Sequence, residues 1–436
     1  MFFISKTSKS NGIADVTDTQ DSVVETVTHE FLYKYCKANA VLGVTLNPDN
    51  IRRVSNTDLL AVENMGMLMS DVKMTITNHR LTLITSFKPI STLVIPYGVY
   101  SIGRFAMRNI DKWAVTTIVF PSSLTYIDYS TFYNMPNLEK VVIPSSVEFI
   151  GGSAFSKCPK LKVEFEDVNK ITFGENAFDK HNCELQDDVY YLGKTAMRAD
   201  NTAQYIKIKE GITHIAPKCF EACRKLVKVD LPDTLTHIGE NSFQGATKLK
   251  EVNIPASVKS IGQACFASCV NLTEVYIPDN VETMGADVFR SCKRLKSVRL
   301  SPNVKKVECY FNKCAALEEI VVPEGVESIN SLAFGCPELK CISLPSTLKY
   351  IRIFVATDCD KLIKFVFKSH DCATDKRNAE MIPLAKYTVN FASDVTVFIP
   401  KSVNYGGKKF WFLQRTGPDY IMSKYRALPY RVKRFQ

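Results

Sequence analysis

No stretch of this sequence approaches the roughly eighteen consecutive apolar residues that a bilayer-spanning helix needs. The N-terminus, MFFISKTSKSNG, has an apolar run of three with no basic residue ahead of it, so it is not expected to act as a secretory signal. Familiar catalytic signatures are missing: GxGxxG, the phosphate-loop GxxxxGKS/T, HExxH and GxSxG. There is no CxxC pair and no His/Cys cluster at zinc spacing. Fourteen cysteines without an export signal therefore point to free thiols in a reducing compartment. No catalytic residue, metal site or cofactor is assigned. The expectation is a non-enzymatic protein, cytoplasmic or associated with a particle.

What the sequence has is a repeat. Phe243, Phe266 and Phe289 are spaced 23 residues apart, as are Leu226, Leu249, Leu272 and Leu295. Leu317, Leu339 and Leu362 follow at 22, 22 and 23 residues, and Pro232, Pro255 and Pro278 keep the same step. Pro121 and Pro144 are an earlier pair. A fixed period in the twenties marks a solenoid whose repeats stack on one another. Cys223, Cys269, Cys292, Cys314, Cys336 and Cys359 share one column behind the repeat's aromatic, with Cys158 the first member. Cys219 and Cys265 stand in the place of Ala154, Ala177 and Ala333. A repeated column of one small residue type is packing before it is reactivity, because free cysteine behaves as a small buried hydrophobe.

The unit L-x-x-V-x-I-P-x-x-V-x-x-I-G-x-x-A/C-F-x-x-C-x-x-L stands nearly complete at 249–272, LKEVNIPASVKSIGQACFASCVNL. It resembles the BspA-type leucine-rich repeat over roughly residues 90–403. The resemblance implies a right-handed solenoid with one short parallel strand per turn, mostly binding roles and no catalytic residues. The fold expected is a leucine-rich-repeat solenoid: a short parallel β-strand plus a helical turn in each 22–23-residue repeat, with a helical N-terminal cap. In LxxVxIP the leucine, valine and isoleucine face inward, and proline ends the strand because it cannot donate to the ladder. Gly151, Gly239, Gly262 and Gly285 are expected to let the chain turn into the helical segment.

Three parts follow: a cap region at 1–70, the solenoid at 71–403 with a hairpin insert near 183–205, and an arm or cap at 404–436. In the first, SVVETVTHEFLYKYC has one apolar helical face behind a Ser22/Glu25 capping box. Met65, Met67 and Met69 would fill the open end of the core. The echo DVTVFIPKSV at 394–403 would close the solenoid. Residues 401–436 hold nine Lys+Arg against one Asp, or +8, which leaves +2 of the total +10 for the rest.

Candidate binding residues lie in the outward columns of the strands, where types vary while inward positions do not. They are Asp230, Asn253, Tyr276 and Arg299 in one column and Glu251, Glu274 and Glu319 in the next. Tyr and Arg are common interface anchors, and an ordinary solvated face is the plain alternative. The arm interleaves Lys408, Lys409, Arg415, Lys424, Arg426, Arg431, Lys433 and Arg434 with Trp411, Tyr425 and other aromatics. That pattern suits a cap, a protein-docking element or a nucleic-acid contact. His214 and His237 share a column without a third ligand nearby, which reads as solvated histidine. The function expected is a scaffold that recognises a protein partner and docks through its arm into a larger assembly such as a viral particle. Nucleic-acid association through the arm and a surface adhesin are the alternatives, the latter favoured by disulfide-bonded cysteine columns.

Overall fold

The computed structural model describes residues 4–6, 14–16, 72–95, 98–351, 356–368, 396–400 and 431–435. The chain divides into two compact units, residues 1–184 with 191–193, and residues 185–190 with 194–436. Each is a stack of coils, and each coil contributes to three ladders.

The first ladder comes from the LxxVxIP segments. In the first unit Thr92–Val94, Thr117–Val119, Lys140–Ile143 and Lys162–Phe165 pair in parallel. In the second unit this ladder comes in pieces. Tyr205–Lys207 pairs with Lys228–Asp230, and Glu274–Tyr276 with Ser297–Arg299. Glu319–Val321, Cys341–Leu344, Lys364–Phe367, Thr396–Pro400 and Arg431–Phe435 then run as one parallel sheet. Residues 251–255 form no strand, and long bonds from Lys250 N–H to Val227 O (3.3 Å) and Thr273 N–H to Lys250 O (3.4 Å) keep their register. The echo at 394–403 therefore does not end the sheet, because Arg431–Phe435 adds one more strand to it.

The second ladder uses two-residue strands such as Tyr126–Ile127 and Phe149–Ile150, or His214–Ile215 and His237–Ile238, each burying its isoleucine. In the first unit it begins at an antiparallel hairpin, Val72–Thr77 with Arg80–Ser86. Asn78 and His79, both left-handed (φ 47° and 60°), make its two-residue turn. The hairpin buries Met74, Ile76, Leu81 and Ile84, so among the described residues a β-hairpin covers this end of the core. The helix expected from Ser22, and Met65 to Met69, lie outside the described residues. Ile4–Lys6 and Ala14–Val16 form an antiparallel strand pair. The insert holds strands Glu184–Gln186, Val189–Leu192 and Thr195–Ala199, the last pairing in parallel with His214–Ile215.

The third ladder corrects the sequence reading. Among the described residues the helical elements are two single 3-10 turns, Val168–Lys170 and Lys180–Asn182, and the other repeats contain no helical turn. Instead, in the 23-residue coils from Lys218 to Ser291, two left-handed residues bracket the core pair: Ala264 (φ 50°) and Ser268 (φ 60°) stand on either side of Cys265 and Phe266. This reversal turns alternate N–H groups toward the next coil. Ala264, Phe266 and Ser268 donate to the carbonyls of Ala286, Val288 and Arg290 at 2.8, 2.9 and 2.6 Å. An α-helix would spend those donors within its own turn.

Stacking at this range explains the glycines. A Cβ on Gly262 would lie 2.4 Å from the Glu240 nitrogen, and one on Gly239 2.5 Å from the Pro217 nitrogen. They are glycine because the neighbouring backbone lies against them, and none of the four expected turn glycines has a positive φ. Where the repeat shortens to 22 residues this glycine is lost. The spacing from Val307 to Phe311 is one residue shorter than from Met284 to Phe289, and Lys306–Asn312 and Ser328–Phe334 run as seven-residue strands.

The core is a set of columns. Phe220, Phe243, Phe266, Phe289 and Phe311 stack with ring centroids 4.8, 5.3, 5.9 and 5.8 Å apart and planes within 11°. Ala333 pairs with Phe311 and so belongs to this aromatic column, not to the alanine–cysteine column assigned from sequence. Beside it the thiols of Cys269, Cys292 and Cys314 each donate at 3.1 Å to the carbonyl of a phenylalanine in the preceding coil: Phe243, Phe266 and Phe289. Cys336 does the same to Phe311 at 2.8 Å, and Cys158 to Phe132 at 3.4 Å. Cysteine is therefore small enough for the column and supplies a donor to a buried acceptor. Burial pushes the Cys158 and Cys223 thiols up to about 11 and that of Cys269 higher still, so they stay protonated.

Two stability tests follow. Gly262→Ala should destabilise the fold by about 1–3 kcal/mol, the usual cost of overpacking. Cys292→Ala, which removes one of the two donors to the Phe266 carbonyl and leaves it the Cys269 N–H, should cost about 0.5–1.5 kcal/mol. Chemical denaturation measures both, and midpoints equal to the parent's would refute the close-stacking account.

Candidate recognition surface

Side chains outside the ladders stand in register across coils, so each neighbours its counterpart 22 or 23 residues away. The strongest arrangement joins Tyr276 and Arg299, paired residues of adjacent strands. The Arg299 guanidinium lies over the Tyr276 ring at 4.6 Å, and its Nη1 donates to Asp279 Oδ1 at 2.7 Å. Tyr276 remains 55% exposed. A cation over an exposed ring contributes roughly 0.5–1 kcal/mol, and the Asp279 tether fixes the guanidinium before any partner arrives.

A second cluster lies on the strand pair Tyr205–Lys207 and Lys228–Asp230. The Tyr205 hydroxyl donates to Asp230 Oδ2, and Lys228 Nζ sits 3.4 Å from Asp230 Oδ1. The hydroxyl, then Lys228, hold the Asp230 carboxyl below its usual range. Glu274 and Glu319 are exposed on their strands, while Glu251 and Asn253 are exposed on the strandless segment between the two clusters. Tyr205 and Asp279 were not singled out in the sequence reading. Tyr205 precedes the regular spacing at the insert, and Asp279 lies beyond the strand-ending proline.

Of the arm residues, Arg431, Lys433 and Arg434 fall within the last strand, in register with Thr396, Phe398 and Ile399. Lys408, Lys409, Trp411, Arg415, Lys424, Tyr425 and Arg426 lie outside the described residues.

The first unit carries an aromatic row that sequence reasoning missed. His79 stacks on Tyr100 at 4.6 Å, and Tyr126 on Phe149 at 4.7 Å. The recurrence of an aromatic just before the buried isoleucine in VEFIG and LTYID was the available signal. Each stacked ring has one face covered by its partner.

His214 and His237 stack at 4.5 Å with planes within 2°. The Thr236 hydroxyl donates to Thr213 O at 2.9 Å, so it accepts from His237 Nδ1–H at 2.7 Å. Each Nε2 lone pair then points outward alongside its neighbour, and parallel lone pairs do not converge on one ion. Among the described residues no group of three or more His, Cys, Asp or Glu could hold a metal.

These features define a parallel β-solenoid whose chemistry lies in surface columns. The protein-family model for the BspA type leucine rich repeat region matches residues 85–187, 191–310 and 264–379, more than half of the chain, and the chain belongs to that family. Among solved structures, a leucine rich cell surface protein from Faecalibacterium prausnitzii is 23% identical; the match covers 68% of this chain and 92% of that one, with a TM-score of 0.27. The pneumococcal vaccine antigen PcpA is 16% identical over 80% and 95% of the two chains, with a TM-score of 0.32. The T. pallidum leucine rich repeat protein is 19% identical over 75% and 98%, with a TM-score of 0.26. No curated protein matches the chain significantly.

The histidine pair predicts a pH dependence. Burial, then the His237 charge, lowers the His214 pKa to about 4, and burial, then Lys259, lowers that of His237. The unfolded chain takes up these protons near pH 6.5 and the folded chain does not, so stability is full above 6.5 and falls as the pH drops toward 4. At about 1.4 kcal/mol per unit, less solvent screening at half-buried rings, His214 accounts for roughly 1–2 kcal/mol. His214→Asn should flatten the slope of melting temperature between pH 7 and pH 4.5; an unchanged slope would refute this assignment.

Proposed function

We propose that the chain is a non-catalytic recognition scaffold that binds a protein partner through the outward strand columns of its second unit, with Tyr276 and Arg299 as anchors. The carrying observation is the exposed Tyr276–Arg299 pair held by Asp279. It combines two residue types that dominate interface energetics with a fixed geometry that lowers the entropy cost of binding. Membership of a leucine-rich-repeat family supports both the interaction role and the non-catalytic reading.

The basic arm docks the scaffold into a larger assembly, in the cytoplasm or on a particle. A second reading, nucleic-acid association, draws on the +8 charge of residues 401–436. An exported adhesin with disulfide columns gains no support from the cysteines, since none of the eleven whose side chains are described is disulfide-bonded.

Binding partners should be captured from native lysate with three full-length proteins at low and moderate salt. These are the parent, Tyr276→Ala/Arg299→Ala, and Lys408→Glu/Lys409→Glu/Lys424→Glu. Truncating the arm is the wrong comparison because Arg431–Phe435 belongs to the sheet. One protein partner held at both salts should be lost with the first variant, which removes a hot spot of about 2 kcal/mol or roughly thirtyfold in affinity. Retention of salt-labile nucleic acid that only the arm variant abolishes would replace this reading with the second.

A further inference from the structure

Three of four consecutive coils of the second unit place a basic residue at one exposed position without an ion-pair partner among the described residues. Leu226, Leu249, Leu272 and Leu295 are buried at 0% exposure, and the residues ahead of them are Lys225, Lys248, Asn271 and Arg294. Arg294 Nη1 donates to Asn271 Oδ1 at 3.1 Å, which holds neighbouring members of the column side by side. The position after the leucine adds Lys250 and Lys296. Their register is set by backbone bonds from Lys250 N–H to Val227 O and from Lys296 N–H to Thr273 O. All five basic side chains are exposed, and among the described residues none of them forms a close ion pair, although the charge of Lys296 helps hold the Glu318 carboxyl below its usual range, after Lys340.

The following coils show the same two positions neutralised. Lys340 Nζ meets Glu318 Oε2 at 2.8 Å, and Lys361 Nζ meets Glu338 Oε1 at 2.7 Å. Like charges held at the strand spacing of about 4.8 Å repel and destabilise the stack. Lys225 and Lys248, on adjacent coils, bear that cost without a facing carboxylate, whereas Asn271 and Thr273 interrupt the like charges farther along and Glu318 stands beside Lys296. An extended anion laid across the coils would supply the missing negative charge.

We propose that this column binds a linear, highly sulfated polysaccharide. Glu251 and Glu274 border the basic positions as an exposed acidic row. The broad phosphate surface of a nucleic-acid duplex would meet that row. The column also holds no aromatic side chain on which an unpaired base could stack. A thin chain that carries its sulfates along one line crosses the coils between leucine column and acidic row, and meets Lys225, Lys248 and Arg294 on three of the four coils, with Asn271 as a neutral donor on the other.

The test titrates full-length protein against a fluorescent heparin-derived oligosaccharide, a single-stranded DNA oligonucleotide and a poly-glutamate peptide, at low and moderate salt. The oligosaccharide should bind most tightly, with affinity that falls steeply as salt rises. Lys225→Gln/Lys248→Gln/Arg294→Gln should weaken it by roughly tenfold or more, whereas Lys340→Gln/Lys361→Gln should change it by less than about twofold. Both variants keep the basic arm. Oligosaccharide binding that survives the triple substitution would therefore overturn the proposal, as would no binding at low salt or tighter binding of the oligonucleotide or the peptide.

Discussion

The closeness of one coil to the next governs the rest of this structure. Alternate N–H groups in the segment around Phe266 reach carbonyls of the following coil at 2.6–2.9 Å, and glycines such as Gly262 stand where a Cβ would strike the preceding backbone. The left-handed residues on either side of Phe266 are what this bonding requires. Once coils are held at that spacing, a residue type that recurs every 22 or 23 positions becomes a column. Phenylalanines stack, leucines seal the interior, and cysteine thiols bond the carbonyls of the coil before. The core arises from this one repeated contact.

The same constraint organises the surface. Residues that would be independent on an irregular protein become neighbours in register, so each outward position is paired with its counterparts. At Tyr276 and Arg299 the pairing gives a tethered cation–π contact. Between Lys340 and Glu318, and between Lys361 and Glu338, it gives ion pairs. At Lys225 and Lys248 it gives adjacent like charges without an ion pair. Recognition in such a protein is thus written in which residue stands above which, and a flat list of exposed side chains would miss it.

Much of this was legible in the sequence because the period is long and strict. The buried columns Leu226 to Leu362 and Phe243 to Phe289 follow from spacing, as does the structural role of the cysteines. The helical turn did not follow. A-C-F-A-S-C has small and apolar residues that suit a helix, and only the next coil, one period away, determines where its N–H groups go. The glycines were noticed for the wrong reason: conformational freedom is read locally, whereas their requirement is set by backbone 22 or 23 residues earlier. The outward columns named Tyr276 and Arg299 but not their tether Asp279, which lies outside the strand pattern. The strandless stretch at Glu251 and Asn253 fits the repeat well, and nothing in its spacing marks the loosened ladder.

The most direct measurement of the coil-to-coil account is the stability of Lys313→Gly. Lys313 is exposed, left-handed at φ 59°, and one repeat before Gly335, which has φ 64° at the equivalent position. If the segment is a ladder of left-handed turns, glycine relieves the strain on a Cβ-bearing residue and the denaturation midpoint stays level or rises. If the segment were helical, the same change would destabilise it by about 1 kcal/mol, and a midpoint lowered by that amount would contradict the account.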